Sequence, residues 1–329
     1  MNKKGKFILS IIFSMSGFLI ALLLNVVVPQ KADVVFEPGI IFGYSVNGYE
    51  AYRVILIALA VLYLIWGIVV SKREHALKKY IKSAKFRFVM GLLLSLWDIL
   101  GTKFQILTQP FFPGPAGIME AFVSEGDFIW QNTLYSLRLY LVGFSIGVVV
   151  GVVTGVLVGW FPKISYWITP ILKVLGVIPA VAWMPFALTL LPTSFTAAVF
   201  LIAVSVWILI ATLTAAGVES TPKIQFEAGR TLGGSELYLV FHVAIPHALP
   251  QIFTGITTAN GYAFTTLVMA EMMGQPGGLG YYINASKVWS AYYKVFAAII
   301  VMAILFSVIT NLLEALERYV LRWQKGVVR

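Results

Sequence analysis

Residues 227–246 read EAGRTLGGSELYLVFHVAIP, the longest polar passage in the second half of the chain. It lies between two apolar runs, each long enough to cross a bilayer. Thr221-Pro222 ahead of it is a helix-start signal, a hydroxyl N-cap followed by proline at the first helical position. Gly233-Gly234 interrupts that helix, Ser235-Glu236 can cap a second one over 237–243, and Pro246 is expected to stop it. Two short helices at an angle, standing clear of the membrane, make a handle and not a catalytic pocket.

The rest of the composition agrees with a membrane setting. The chain has 329 residues, 59% hydrophobic and 12% charged, with a mean hydropathy of +0.88. Soluble domains are about 45–50% apolar and about 25% charged, so this is a polytopic membrane protein. The formal charge of +10 raises nucleic acid as a partner. However, the cations sit beside apolar spans, as the positive-inside rule demands, and no basic stripe interleaved with aromatics appears. With no cysteine, disulfides, thiolate metal sites and a lipoprotein anchor are excluded.

Apolar runs are expected to span at about 7–28, 51–70, 88–107, 140–161, 164–190, 194–217, 249–273 and 295–320. The first follows Lys3, Lys4 and Lys6 and is too long for a signal-peptide core. Residues 30–50 set Lys31 against Asp33, Glu37 and Glu50 and belong outside, whereas 71–87 hold seven cations from Lys72 to Arg87 against Glu74 alone and belong inside. A short interfacial helix with Glu74 and Lys78 one turn apart fits there. Span three contains Asp98 and Lys103, read as an ion pair or as Asp98 facing a neighbouring helix, with Lys103 snorkelling. Span four carries Gly143, Gly147, Gly151, Gly155 and Gly159 on one helix face, a surface for close helix packing. Arg318, Arg322, Lys325 and Arg329 place the C-terminus inside, so both termini are expected to be cytoplasmic.

The handle resembles the EAA loop of the membrane subunits of bacterial ABC importers, whose pattern is E-A-A, three residues, Gly, nine residues, I-x-L-P. Glu227, Ala228, Gly233 and Pro246 fall in register, Val243 and Ile245 are apolar equivalents, and Gly229 departs from the second alanine. From 88 to 323 the chain looks like the permease branch that handles aliphatic sulfonates, taurine and nitrate. Its marks are Phe112-Pro113-Gly114-Pro115, Ser136-Leu137-Arg138 with Gly143-Phe144, Ile178-Pro179-Ala180 with Trp183-Met184-Pro185, and Ala270-Glu271 with the 277–281 turn. The resemblance implies an all-α polytopic membrane protein: a six-helix MetI-like ABC importer core over 88–329, with the coupling loop at 219–247. Two extra N-terminal transmembrane helices with a basic cytoplasmic linker, 1–87, precede it.

It further implies a permease subunit in the bacterial cytoplasmic membrane, moving a small anionic solute of sulfonate, taurine or nitrate type. Partners would be ABC ATPase subunits that bind ATP and Mg, an extracytoplasmic solute-binding protein, a second permease copy or similar chain, and membrane lipids, with no nucleic acid. Glu227, Ala228, Gly229, Gly233, Ile245 and Pro246 would couple to the ATPase. Another substrate class for the same machine is a heteroaromatic vitamin or a pyrimidine precursor. A membrane-embedded enzyme or a scaffold is the reading of a different class.

For the translocation path, Pro179 and Pro185 leave the carbonyls of Leu175 and Val181 without helical donors, and broken helices in a membrane line wet cavities. Gly176, Pro179, Trp183 and Pro185 are therefore path candidates, joined by Ser205, Asn260 and Glu271 from spans six and seven. Lys173 and Arg138 are the mid-core cations for an anion, and nothing in spans five to seven selects among substrates. No G-x-x-x-x-G-K-[ST] loop exists, so ATP binding, cofactor and catalysis are not expected on this chain. His75, His242 and His247 have no metal spacing, and no nucleophile–base constellation appears.

Overall fold

The computed structural model describes residues 3–30, 39–41, 44–108 and 110–323. The expected roles of Lys31, Asp33, Glu37, Lys325 and Arg329 fall outside the described residues. Two compact units emerge, Met1–Ile129 with Ala285–Ile299, and Trp130–Asn284 with Ile300–Arg329. The 87/88 boundary expected from sequence lies inside the first.

The first unit holds α1 (Lys3–Val27), the strands β1 (Gly39–Ile41) and β2 (Tyr44–Val46), and α2 (Gly48–Val70). It continues with α3 (Glu74–Lys82), α4 (Ala84–Trp97), a π-helical turn Asp98–Lys103 and α5 (Pro115–Ser124). The antiparallel ribbon, pairing Gly39 with Val46 and Ile41 with Tyr44, departs from the all-helical expectation. Asn47 starts α2 through a reciprocal cap: its Oδ1 accepts from the Glu50 amide at 2.9 Å, and Glu50 Oε2 accepts from the Asn47 amide at 3.1 Å. α1 and α4 cross at glycines. A Cβ on Gly17 would lie 2.4 Å from the Phe88 carbonyl oxygen, and one on Gly91 2.3 Å from the Gly17 carbonyl carbon. Small residues let two backbones touch where hydrocarbon offers no hydrophobic drive.

The buried carboxylate of Asp98 reaches a cation through a bridging amide. Asp98 Oδ2 accepts from Asn25 Nδ2 at 2.8 Å, and Asn25 Oδ1 accepts from Arg53 Nε at 2.8 Å. The amide of α1 thus links the carboxylate at the end of α4 to the guanidinium of α2. Lys103 does not snorkel; it is buried, with Nζ 5.5 Å from the centre of the Tyr49 ring. Arg87, also buried, stacks on Tyr80 at 4.0 Å and donates to Ser14 Oγ at 2.9 Å. Asn25→Ala removes both bonds of the bridge, and each hydrogen bond to a charged group is worth about 1.5–3 kcal/mol. The variant is expected to unfold at a clearly lower Tm in a thermal melt of the purified chain. An unchanged Tm would deny the bridge any stabilising role.

The second unit continues along the chain. α6 (Gly126–Trp160) enters it at Trp130, followed by α7 (Pro162–Val177), a 3-10 turn Ala180–Trp183, α8 (Met184–Leu190) and α9 (Ser194–Glu219). Then come α10 (Lys223–Thr231), α11 (Glu236–Leu239), a π-helical turn Val240–Ala244 and α12 (Ile245–Met272). α13 (Leu279–Val288) and α14 (Tyr292–Val320) run through both units. Leu201, Ile202, Val206, Ile210, Ala259, Ala263 and Leu267 form the centre of a core between α9 and α12. The glycine face of α6 lies against α9: Cβ atoms built on Gly143, Gly147, Gly151, Gly155 and Gly159 would fall 2.5–2.8 Å from those of Ile202, Val206, Ile210, Thr214 and Val218. Five glycines at four-residue spacing meet five side chains at the same spacing, ridge into groove.

Among the described residues six helices are long and apolar enough to cross a membrane: Gly5–Val27, Gly48–Val70, Gly126–Trp160, Ser194–Glu219, Glu236–Met272 and Tyr292–Val320. The pair Pro162–Val177 and Ala180–Leu190, bent by 95°, adds a seventh if it counts as one span. The expected span over 88–107 is carried by α4, only 14 residues long, with the π-helical turn after it. α6 also begins well before the expected residue 140, at Gly126, so that Asp127 sits in its first turn.

Candidate coupling handle and translocation cavity

The handle is the pair α10 and α11, and its corner is a complete glycine-based helix stop. Gly233 has φ +84°; its amide donates to the Arg230 carbonyl at 2.9 Å, and the Gly234 amide donates to the Gly229 carbonyl at 2.9 Å. These two bonds close the last turn of α10, and the left-handed residue between them sets the angle of departure. Ser235 then opens α11, its Oγ accepting from the Tyr238 amide at 3.3 Å. Across the corner Arg230 Nε donates to Glu236 Oε1 at 3.1 Å, a solvent-exposed pair that contributes little by itself.

Two local expectations are corrected. Thr221 does not cap α10; the N-cap is Pro222 without a side-chain bond, and Thr221 Oγ1 is buried with no partner. Nor does Pro246 stop the second helix, since α11, the π-helical turn and α12 run on as one helix, Glu236–Met272. The wider π turn directly before Ile245 shifts the bonding pattern from i−4 to i−5, so a residue without an amide proton can follow without breaking the helix.

The handle is seated firmly from below and open above. Phe226 meets the Trp160 ring edge-on at 5.2 Å, and beneath it Val218, Ala244, Ala248 and Ile252 form a buried cluster. Gly229 has a specific reason to lack a side chain: a Cβ there would lie 2.4 Å from Leu239 Cδ2, and Leu239 is fully buried. Glu227 and Ala228 are exposed, Pro246 and Ile245 half-buried. Ile224 on α10, Leu232 at the corner, Leu237 on α11 and Phe241 in the π-helical turn are all exposed, Leu232 to 89%. Large apolar side chains held out on a hydrogen-bonded corner mark a contact surface.

Between α7, the 3-10 turn, α9 and α12 lies a cavity of about 690 Å³, within the usual range for organic-ligand sites of ~300–1,000 Å³. Gly176, Pro179 and Ser205 line it; Trp183, Pro185, Asn260 and Glu271 are not among its lining residues. Trp183 packs against the α9–α12 core. Asn260 is buried, accepting from the Tyr140 hydroxyl at 2.6 Å and donating to Thr310 Oγ1 at 2.9 Å. It ties three helices together. Glu271 is buried too, and its Oε2 accepts from the Gly280 amide at 2.8 Å. Ser136 Oγ accepts from Leu279 and Asn132 Oδ1 from Gly278, so side chains of α6 and α12 hold the amides that open α13.

The carbonyls freed by the two prolines do not face the cavity unsatisfied. Leu175 O accepts from the Ile178 amide at 3.2 Å, and Val181 O accepts from the backbone amide of Met184. The chain recovers each lost bond by tightening to i−3 pairing. Lining residues that the sequence reading did not select are Tyr262, Thr265, Thr266 and Met269 on α12, and Ile208, Leu209 and Thr212 beside Ser205 on α9. Each set has i, i+3, i+4, i+7 spacing, so the signal was one mixed hydroxyl and apolar helix face. Lys173 also lines the cavity, whereas Arg138 lies over the Phe195 ring at 5.2 Å.

Comparison with known proteins gives consistent matches. The family model for the binding-protein-dependent transport system inner membrane component matches residues 147–323. The taurine transport system permease protein TauC of Escherichia coli (strain K12) is 27% identical over 245 residues, 72% of this chain and 89% of its own. The bicarbonate transport system permease protein CmpB of Synechococcus elongatus is 31% identical over 262 residues, 73% of this chain and 90% of its own. Among solved structures, a chain from the inward-facing MetNI methionine ABC transporter superposes with a TM-score of 0.52 at 22% identity, covering 60% of this chain and 97% of that chain. That last likeness concerns the fold.

Proposed function

This chain belongs to the family of binding-protein-dependent transport system inner membrane components, and from that premise we propose that it is the permease subunit of an ATP-driven importer for a small anionic solute. The bicarbonate in one relative's name and the sulfonate group of the taurine in another's support a site for an anionic group. The observation that carries the reading is the handle: a bent helix pair with a hydrogen-bonded glycine corner, continuous with the membrane helix α12 and presenting Glu227, Leu232 and Leu237 outward. Because α11 continues into α12 as one helix, a push on the corner is transmitted along a rigid rod into the bilayer.

The partner ATPase would bind ATP with Mg; no phosphate loop is present in this sequence. Closure of two ATPase subunits on nucleotide moves two such handles and biases the bundles between inward-open and outward-open states, nucleotide supplying the preference. A second permease copy completes the pathway, and an extracytoplasmic binding protein delivers solute. The basic segment 71–87 and the basic C-terminal end support a cytoplasmic position for both and for the handle. Co-purification from native membranes tests this reading. An ATPase should accompany the chain, and uptake should stop when that ATPase is inactivated. A complex with no nucleotide-hydrolysing protein, or cysteine labelling of Arg230→Cys only from outside, would refute it.

A further inference from the structure

The basic passage after α2 is folded and mounted in a way that a topology signal does not require. We propose that α3 and its flanks form a docking surface for the anionic headgroups of phospholipids in the cytoplasmic leaflet. The surface depends on 71–87 facing the cytoplasm and on nothing about the transported solute.

Charge is sorted by face. On α3, His75, Lys78, Lys79 and Lys82 follow i, i+3, i+4, i+7 spacing and are all exposed. Leu77, Tyr80 and Ile81 turn the other way and are buried or half-buried. Lys72 and Arg73 before the helix and Lys85 after it are exposed as well. Glu74 is the one carboxylate in 71–87 and can neutralise only one of the seven cations there. Cations held this close repel one another, and an anionic surface relieves that repulsion.

The apolar face is locked to the membrane helices. Tyr80 is buried; its hydroxyl donates to the Tyr63 carbonyl at 2.8 Å, and its ring meets Trp66 edge-on at 5.8 Å. Gly67 leaves room for it, since a Cβ there would lie 2.9 Å from the Tyr80 hydroxyl oxygen. Arg87 clamps the same residue from α4: its guanidinium lies 4.0 Å from the ring centre and its Nη2 donates to the Tyr80 carbonyl, while its Nε reaches Ser14 of α1. α3 is thus fixed against α1, α2 and α4 with its cations held out. A positive-inside signal works through the number of cations near the end of a span and needs no such mounting.

The height is right for headgroups. Lys72 and Arg73 come just after Val70, the last residue of α2, where the chain leaves the hydrocarbon. Lys85 stands beside the exposed Phe86 in the first turn of α4. Each basic residue near an anionic leaflet is worth about fivefold in affinity. Single-stranded nucleic acid would instead want an aromatic ring beside the cations, and Tyr80 is buried on the opposite face.

The full-length chain, purified in detergent, is titrated with dioctanoyl phosphatidylglycerol, with the matching phosphatidylcholine and with inorganic phosphate. Bound lipid is counted by native mass spectrometry. Phosphatidylglycerol should bind ~10-fold or more tightly than phosphatidylcholine, weaken as salt rises, and stay bound in excess inorganic phosphate. Lys78→Gln with Lys79→Gln and Lys82→Gln should lose ~10-fold or more of that affinity, and arginine at the same three positions should retain it. Lys163→Gln with Arg318→Gln and Arg322→Gln removes equal charge from exposed positions elsewhere and should bind within about twofold of wild type. An unaffected α3 glutamine triple, an equal loss in the control triple, phosphatidylcholine binding as tightly as phosphatidylglycerol, or displacement of the lipid by inorganic phosphate would each overturn the proposal. The importer reading stands or falls separately, on the co-purifying ATPase.

Discussion

Gly233→Val is expected to abolish coupling while leaving the protein in the membrane. The wild-type residue stands at φ +84°, a region where an L-residue meets its own carbonyl and a β-branched one is worst placed. Nothing surrounds the position within 4 Å, so the penalty is conformational and not steric crowding by neighbours. Holding valine there costs of order 1–3 kcal/mol. The chain avoids that cost by letting the corner open, breaking the Gly233–Arg230 and Gly234–Gly229 bonds that stop α10. With the angle between α10 and α11 no longer defined, a push on one is not delivered to the other. In proteoliposomes containing ATPase and binding protein, basal ATP hydrolysis should persist while uptake falls to background. Gly233→Asn should retain most of the uptake, because asparagine tolerates the left-handed region. Normal solute-stimulated hydrolysis in the valine variant would remove the corner from the mechanism.

The second large effect is on folding. Gly147→Leu with Gly151→Leu places two branched side chains where bare Cβ atoms alone would sit 2.6 Å from Val206 and 2.8 Å from Ile210. The nearest obstacles include the backbone oxygens of Ala203 and Trp207, which cannot rotate aside. Overpacking costs about 1–3 kcal/mol per site, and here the sites share one interface, so α6 must withdraw from α9 along several turns. The double variant should yield little monodisperse protein in detergent, read by size-exclusion fluorescence. The same pair of substitutions at Val149 and Val153, which are exposed on the same helix, should be nearly neutral. Equal yields from both variants would show that α6 does not depend on its glycines.

Much of this was legible beforehand because the relevant rules are local or periodic. Gly233 announces a corner by its identity, the five glycines of α6 announce a close helix neighbour by their spacing, and bilayer thickness turns apolar runs into spans. Local rules also mislead: Thr221 does not cap α10, and Pro246 is no stop, because a π-helical turn before it lets the helix run on into α12. Asn260 and Glu271 lie away from the cavity for a related reason. A polar group inside a membrane must find a partner, and whether that partner is solute or protein depends on chain segments far away in sequence. For Asn260 these are Tyr140 and Thr310, and for Glu271 the Gly280 amide.

The sequence by itself determined that this is a helical membrane protein with a bent handle, since hydropathy, charge asymmetry and glycine placement act over a few turns of chain. Only the tertiary structure decided which faces line the cavity, because α7, α9 and α12 must be packed together before Lys173, Ser205 and Tyr262 share one wall. It likewise decided why Gly229 stands where the family pattern has alanine. Burial of Leu239 against α10 occupies the space a methyl group would need, and steric exclusion of that kind exists only once the helices have met.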